Sequence, residues 1–278
     1  MTRKDFEFQI AKHKLQGYYY TPKQIHSVVV LVHGMGEYAN RYERVVIPTL
    51  LKKSIAVVSY DQFGHGHSDG KKGHHPGYQY IMSALEEVVH KAKSLFPSHP
   101  VFLYGHSMGG NVVVNFLLRK QPDIKGSIVT SPFLRLSFEP PAWKLTMANL
   151  IQKVYASLTL PNDLDVTAIS KNPEEIEAYQ NDPLIHDRIS AAFSLEFIKT
   201  GEWAIAHASS LQTPMLLLHG TDDRITSYLA SKEFAEKSNG KVIFHPIDKG
   251  YHELHHDHGN EIILNMICEW IENQNKIT

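Results

Sequence analysis

The chain has 278 residues, which suffices for one large domain with a sizeable core. Apolar residues make up 42%, as in ordinary soluble globular proteins, and the 28 Lys and Arg residues nearly balance the 29 Asp and Glu residues. This balance argues against nucleic-acid binding and against strong attraction to an anionic membrane.

The single cysteine, Cys268, excludes an internal disulfide framework and lies in an apolar helical pattern, so we expect a packed thiol. The amino terminus lacks the apolar segment of a signal peptide, and no apolar run approaches the roughly 20 residues that span a bilayer. We therefore expect a cytoplasmic protein.

The first half of the chain alternates strand and helix patterns. The apolar runs are continuous, as is typical of strands that are covered on both faces. The predicted elements are a leading β-hairpin over residues 5–20, strands over residues 28–32, 55–60, 101–104 and 126–130, and helices over residues 42–53, 80–95 and 111–118. This alternation is typical of a largely parallel, doubly wound sheet.

The alternation stops after residue 132. Residues 133–208 contain no convincing strand pattern; helical patterns cover residues 143–158, 174–179 and 191–205. The sheet pattern then resumes, with strands over residues 214–219 and 241–247 and helices over residues 228–237 and 260–273. We therefore predict a core of residues 1–132 and 209–278, with residues 133–208 inserted as a helical cap.

A tight turn, Gly105-His106-Ser107-Met108-Gly109, joins one predicted strand to the following helix. It matches the G-x-S-x-G nucleophile elbow, in which strand and helix pass so closely that only glycine fits beside the serine. The Ser107 hydroxyl would then stand at the positive end of a helix. The alternative is an ordinary glycine turn with an inert serine, and five residues alone do not decide between them.

A serine hydroxyl needs a base that takes its proton and a third group that orients the base. Behind an elbow of this kind, the acid is expected after a late strand and the histidine after the next one. Asp222 and Asp223 follow the strand over residues 214–219, and His252 follows the last strand. Adjacent side chains point in opposite directions, so only one of the two aspartates can face the imidazole, and the pattern does not say which.

An oxyanion hole is the remaining requirement of this chemistry. One backbone amide is expected from the residue after the nucleophile, Met108, and the second from Met35 in the loop after an early strand. Gly34 and Gly36 let that loop bend toward a reacting carbonyl. The loss of one such donor typically costs about 10²–10³ in rate.

At this point the chain resembles the monoacylglycerol lipases, in the lysophospholipase-like branch of the α/β-hydrolases. The resemblance spans most of the chain, including the insertion. The matching segments are His33-Gly34-Met35-Gly36-Glu37, Arg41-Tyr42, Asp61-x-x-Gly64-His65-Gly66-x-Ser68, Gly105-His106-Ser107-Met108-Gly109-Gly110, Asn181-Asp182-Pro183-Leu184-Ile185, Gly220-x-x-Asp223-Arg224 and Tyr251-His252-x-Leu254-His255.

The resemblance implies an α/β-hydrolase fold with a mostly parallel eight-stranded sheet, and it selects Asp223 over Asp222 as the acid. It also implies that the insertion is a lid over an apolar acyl tunnel. By the same resemblance, the polar end that holds a glycerol head would be lined by Glu37, Arg41, His106, Tyr179 and His255. His186 departs from the pattern, because some relatives carry a cysteine there.

We therefore predict a serine hydrolase without metal or cofactor that cleaves monoacylglycerols to fatty acid and glycerol through an acyl-enzyme. The alternatives are a lysophospholipase, a general carboxylesterase or thioesterase, or a non-catalytic member that binds a ligand or a protein. The expected partner is a single-chain lipid ester, and contact with a membrane through the cap is also considered. The apolar stripe from Trp143 to Leu158 fits either packing on the core or contact with lipid or the acyl chain.

Two other motifs suggest different chemistry. His252-Glu253-Leu254-His255-His256 matches the H-E-x-x-H zinc motif, but it follows a loop, and Ile262 stands where a third ligand would be. The glycines after the first parallel strand, followed by Asp61, resemble a dinucleotide fingerprint. The dinucleotide alternative would leave the elbow and the late Asp and His without a purpose.

Overall fold

The computed structural model describes residues 2–277. Within that range the strands are β1 (Thr2–Ile10), β2 (His13–Thr21), β3 (Ser27–Val32), β4 (Ile55–Tyr60), β5 (Val101–His106), β6 (Gly126–Thr130), β7 (Thr159–Pro161), β8 (Arg188–Ser190), β9 (Met215–Gly220) and β10 (Val242–Ile247). The α-helices are α1 (Val46–Lys52), α2 (Tyr78–Leu95), α3 (Met108–Lys120), α4 (Ala142–Tyr155), α5 (Pro173–Asn181), α6 (Ala191–Ala206), α7 (Tyr228–Lys237) and α8 (Asn260–Lys276). None of these helices is long and apolar enough to cross a bilayer.

Eight strands form one sheet in the order β1-β2-β4-β3-β5-β6-β9-β10. The six strands from β4 to β10 in that order run parallel, while β1 and β2 form an antiparallel hairpin at one edge. This confirms the predicted mostly parallel, eight-stranded sheet. Because the carboxyl ends of the parallel strands meet at one edge, the loops after β3, β5, β9 and β10 lie close together.

Side chains of the central strands alternate between two apolar cores, one on each face of the sheet. In β3, Val28, Val30 and Val32 pack with α2 and α3 on one face. Val29 and Leu31 pack with α1 and α8 on the other. Burial on both faces explains why these strands have continuous apolar sequences.

The predicted helix over residues 42–53 is two elements rather than one. A 3₁₀ helix spans Ala39–Arg44, and α1 begins only at Val46, because Val45 adopts φ −138° and ψ −53° between them. The spacing of apolar residues does not reveal such a break, because the 3₁₀ helix and α1 bury side chains in the same apolar core.

The segment 133–208 was expected to lack strands, and this expectation is wrong. β7 and β8 form a small antiparallel pair in which Leu160 faces Ile189. Strands of three residues are too short to produce a recognisable alternation. Helices α4, α5 and α6 make up the rest of the segment, and α4 contains no buried residue. Its apolar stripe therefore does not pack on the core.

Candidate active site

Ser107 lies between β5 and α3, in a backbone conformation that non-glycine residues rarely adopt (φ 52°, ψ −115°). The flanking glycines make this turn possible. A Cβ atom on Gly105 would lie 2.5 Å from the carbonyl oxygen of Gly109, and one on Gly109 would lie 2.1 Å from that of Val32. The elbow is thus a strained turn, at a cost of about 1–3 kcal/mol, that the surrounding packing holds in place.

The side chains of Ser107, Asp223 and His252 meet at the carboxyl edge of the sheet. His252 Nε2 lies 2.9 Å from Ser107 Oγ, and His252 Nδ1 lies 2.7 Å from Asp223 Oδ2. With the proton on Nδ1 directed at the carboxylate, Nε2 is free to accept the proton of the serine hydroxyl. The three side chains come from loops after β5, β9 and β10, which the parallel topology brings to one place.

Asp223 is the buried member of the aspartate pair, whereas Asp222 is exposed. Asp223 Oδ1 accepts hydrogen bonds from the backbone amides of Ile225 (2.8 Å) and Thr226 (3.0 Å). Its Oδ2 accepts the Thr226 hydroxyl at 3.0 Å in addition to His252. Burial alone would raise the pKa of Asp223, but the neighbouring His252 and His219 hold it well below the usual range, so the carboxylate is ionised.

Burial alone would lower the pKa of His252. The Asp223 carboxylate more than offsets this, and the pKa lies above its ordinary value. His106 packs against the same ring, with centroids 4.9 Å apart. Burial, followed by the neighbouring His252, lowers the pKa of His106 to about 4. The two imidazoles therefore titrate in different pH ranges.

The loop after β3 carries Met35, and it is held by hydrogen bonds on both sides. The Gly34 amide donates to Glu37 Oε1 at 2.6 Å, and the Gly36 amide donates to His65 Nε2 at 3.1 Å. From the segment 133–208, the His186 amide donates to the Gly36 carbonyl at 3.0 Å. Gly36 has φ 77°, which favours glycine. The Met35 amide thus lies in a fixed loop beside the elbow.

Glu37 and Arg41 belong to a buried ionic cluster with Glu253. Arg41 makes a bidentate pair with Glu253 (2.6 and 2.7 Å) and a further bond to Glu37 Oε2 (2.9 Å). Burial raises the pKa of each carboxyl, but Arg41 outweighs this effect, and both pKa values lie below the ordinary value. The cluster therefore contains two carboxylates and one guanidinium, and the donors of Arg41 point at these carboxylates.

A cavity of about 410 Å³ opens above Ser107. Its polar lining includes the predicted site residues Glu37, His106, Tyr179 and His252. The other polar residues of the lining are Asn162, Asp163, Asp165, Ser194, Arg224, Thr226 and Glu253. Its apolar lining comes from Met35 and Ile225 and, within the segment 133–208, from Phe133, Leu136, Phe138, Ile189 and Ile198 among others.

Arg41 and His255 lie behind the lining of this cavity rather than in it. Arg41 is 4% exposed and does not line the cavity, but it binds Glu37 and Glu253, which do. His255 is fully buried, and its ring packs between those of Tyr42 (5.0 Å) and His106 (4.7 Å). The structure thus brings six of the ten predicted site residues to the cavity lining. Asp223 and Met108 lie directly beside them, since Asp223 contacts His252 and Met108 follows Ser107, and Arg41 and His255 lie in the layer beneath.

A family model described as "Serine aminopeptidase, S33" matches residues 23–259, which is most of the chain. The chain belongs to this family. An abhydrolase domain-containing protein of Dictyostelium discoideum is 33% identical over 249 residues, which cover 88% of this chain and 26% of that protein. The chain therefore spans only about a quarter of that relative.

Two relatives of similar length carry a more specific name. The monoacylglycerol lipase of Mycolicibacterium smegmatis is 27% identical over 88% of this chain and 87% of its own length. The crystal structure of the Paleococcus ferrophilus monoacylglycerol lipase superposes with a TM-score of 0.83 at 29% identity, covering 99% of this chain and all of that one. These matches confirm the predicted resemblance: the chain is a monoglyceride lipase-like α/β-hydrolase, in a group of carboxylic ester hydrolases.

The sequence analysis missed several polar residues that this α/β-hydrolase buries around the site. Glu253 stands out in the sequence only as part of a zinc motif, yet it binds Arg41, while His252 in the same motif faces Ser107. His65 lies in one of the matching segments, but no pattern predicts its bond to the Gly36 amide. His219 is the penultimate residue of the apolar strand β9 and contacts Asp223 at 3.1 Å. A polar residue at the end of an otherwise apolar strand was the available signal for His219.

Proposed function

We propose that the protein is a serine hydrolase that cleaves monoacylglycerols to fatty acid and glycerol through an acyl-enzyme intermediate. One observation carries the proposal: Ser107 Oγ, the His252 ring and the Asp223 carboxylate are joined by contacts of 2.9 and 2.7 Å. These distances are those of hydrogen bonds along which a proton can move.

In the first half of the reaction, Ser107 Oγ attacks the ester carbonyl while His252 Nε2 takes its proton. Asp223 holds the ring in the Nδ1–H tautomer and stabilises the imidazolium that forms. The amides of Met35 and Met108 receive the negative charge that develops on the carbonyl oxygen. Met108 is the first residue of α3, so the helix dipole favours the same charge.

Collapse of the tetrahedral species breaks the bond to the alcohol, and the proton held by His252 passes to the departing glycerol oxygen. A water molecule then attacks the acyl-enzyme, again as His252 accepts its proton. The second collapse returns the proton to Ser107 and releases the fatty acid. Since every step uses the same imidazole and the same two amides, the site needs no further group.

The cavity supports a substrate with one apolar chain and a small polar head. Its apolar side chains, which come largely from residues 133–198, suit an acyl chain, and Glu37, His106 and Tyr179 offer hydrogen-bonding groups to a polar head. Arg41 and His255, which were expected to line the glycerol end, would support it from behind. The names of the relatives from M. smegmatis and P. ferrophilus agree with this substrate class.

The cap also supports contact with a lipid surface. Trp143, Met147, Leu150 and Val154 recur along one side of α4 and are between 50% and 81% exposed. An apolar helix face of this kind, with Lys144 and Lys153 on the same helix, suits the interface between lipid tails and head groups. We propose that α4 brings the cavity to the membrane from which the substrate is taken.

A fluorophosphonate probe tests the chemistry directly, because it reacts only with an activated serine. We expect labelling of the wild-type protein and none of Ser107→Ala; an unlabelled wild type would favour the ligand-binding alternative. Rates on monoacylglycerols, lysophospholipids and thioesters of matched chain length then separate the remaining hydrolase alternatives. Preference for the lysophospholipids or thioesters would contradict the proposed substrate.

A further inference from the structure

A second imidazole contacts the carboxylate oxygen that faces His252. His219 Nε2 lies 3.1 Å from Asp223 Oδ2, and His252 Nδ1 lies 2.7 Å from the same atom. His219 is fully buried at the carboxyl end of β9, four residues before Asp223. The strand and the loop after it therefore present both the acid and an imidazole that contacts it.

The other nitrogen of His219 is held by α7. Its Nδ1 lies 2.7 Å from the Ser231 hydroxyl, and Ser231 is fully buried. When the Ser231 hydroxyl donates to Nδ1, the ring carries its proton on Nε2, where Asp223 Oδ2 at 3.1 Å and the Thr226 carbonyl oxygen at 3.2 Å accept it. The chain Ser231–His219–Asp223–His252–Ser107 is then continuous from a core helix to the nucleophile.

We propose that His219 is a positioning residue that acts through Asp223, fixing Oδ2 in line with His252 and drawing charge from that oxygen. The inference rests on the proposed function, since it presupposes that His252 serves as the base. Two backbone amides and the Thr226 hydroxyl also hold the carboxylate, so Asp223 would stay in place without His219. Removal of His219 would therefore take away only the hydrogen-bond donor that shares Asp223 Oδ2 with His252.

The expected consequence has a definite sign. Without the His219 donor, more negative charge stays on Oδ2, and a protonated His252 is stabilised more strongly. The base then becomes protonated at a higher pH, and the midpoint of the acid limb of the rate profile moves to higher pH. The other ionisable groups facing these two rings are Tyr228 beside His219, and His106, Glu253 and Glu37 near His252, all of which the variants leave unchanged.

The test compares His219→Leu, His219→Gln and Ser231→Ala with the wild type, using a soluble short-chain ester between pH 5 and 9. We expect His219→Leu to lower kcat on the order of tenfold with little change in KM, because one hydrogen bond to a charged group is lost. We expect its acid limb to move upward by roughly half a pH unit. His219→Gln, whose amide can donate to Oδ2, should restore most of both properties, and Ser231→Ala should show a smaller shift in the same direction.

The matched control is His75→Leu, which removes another buried imidazole that packs against Phe193. It should cost stability without moving the acid limb. The inference is overturned if His219→Leu leaves the acid limb unmoved, if His219→Gln is as impaired as His219→Leu, or if His75→Leu gives the same shift. Should His219→Leu fail to fold, an unmoved acid limb in Ser231→Ala overturns it instead. A wild type that resists the fluorophosphonate probe refutes the proposed function and is thereby distinguished from these outcomes.

Discussion

Arg41 and Glu253, which are 212 positions apart in the sequence, form a bidentate ion pair in the protein interior. Glu253 directly follows His252, and Arg41 also bonds to Glu37, whose other oxygen accepts the Gly34 amide beside Met35. The pair thus connects the segment that carries the proposed base to the loop that carries a proposed oxyanion amide. Displacement of either segment would break a bond to the same guanidinium.

Glu253→Gln should therefore be costly to folding. The substitution keeps the side-chain shape but leaves a buried guanidinium with one carboxylate instead of two, and losing one partner of a buried pair costs about 3–5 kcal/mol. The midpoint of urea unfolding measures this cost, provided that the slope of the transition is unchanged.

The exposed pair of Arg135 and Glu202 provides the control for this measurement. It has the same bidentate geometry (2.6 and 2.8 Å), but its side chains are 40% and 47% exposed, against 3% and 4% for Arg41 and Glu253. Glu202→Gln should change the unfolding free energy by less than about 1 kcal/mol. Equal costs for the two substitutions would show that the buried cluster contributes no more than a surface pair.

The pH dependence of catalysis should reflect His252 alone. Its pKa is raised above the ordinary value because Asp223 more than offsets the effect of burial, and the base must be neutral to act. The protonated, inactive fraction grows as the pH falls, so the acid limb of kcat/KM should have its midpoint above about 6.5. The neighbouring His106, with a pKa of about 4, stays neutral through that range and should add no second inflection.

Rates on a soluble ester between pH 5 and 9 measure this limb, and the rate of fluorophosphonate labelling gives an independent reading of the same base. Both rates should depend on pH as the titration of a single group does, with the same midpoint. A flat profile from pH 5 to 8, or a midpoint below that of a free imidazole, would contradict the assignment of His252.

The elements that could be predicted from the sequence are those with local patterns. Continuous apolar runs located the strands around the site, and glycine spacing located the elbow at Ser107. The choice between Asp222 and Asp223 needed the family resemblance, because burial of one and exposure of the other depend on how the whole loop packs. Arg41 and Glu253 could not be paired from sequence, since no periodicity links residues so far apart.

Asp222 and Asp223 are adjacent aspartates, of which one is exposed and the other is buried against His252. Asp223→Asn should lower kcat by about 10⁴, because an amide can hold His252 in the wrong tautomer. Asp222→Asn should leave kcat within a factor of about two, since surface substitutions away from the site rarely matter. Circular dichroism melts of both variants establish that the proteins are folded, and similar losses in kcat would refute the assignment of Asp223.

The exposed face of α4 predicts a separation between binding to membranes and catalysis. In Trp143→Ser/Leu150→Ser, two side chains that are 59% and 64% exposed lose their apolar surface. Because each would bury apolar area in the lipid, partitioning onto phosphatidylcholine vesicles should fall at least about tenfold. Hydrolysis of a soluble short-chain ester should change little, because neither residue lines the cavity over Ser107.

The control is Ile262→Ser on α8, where an apolar side chain is 70% exposed but lies outside the cap. If this control weakens vesicle binding as much as the α4 variant does, α4 is not the docking face.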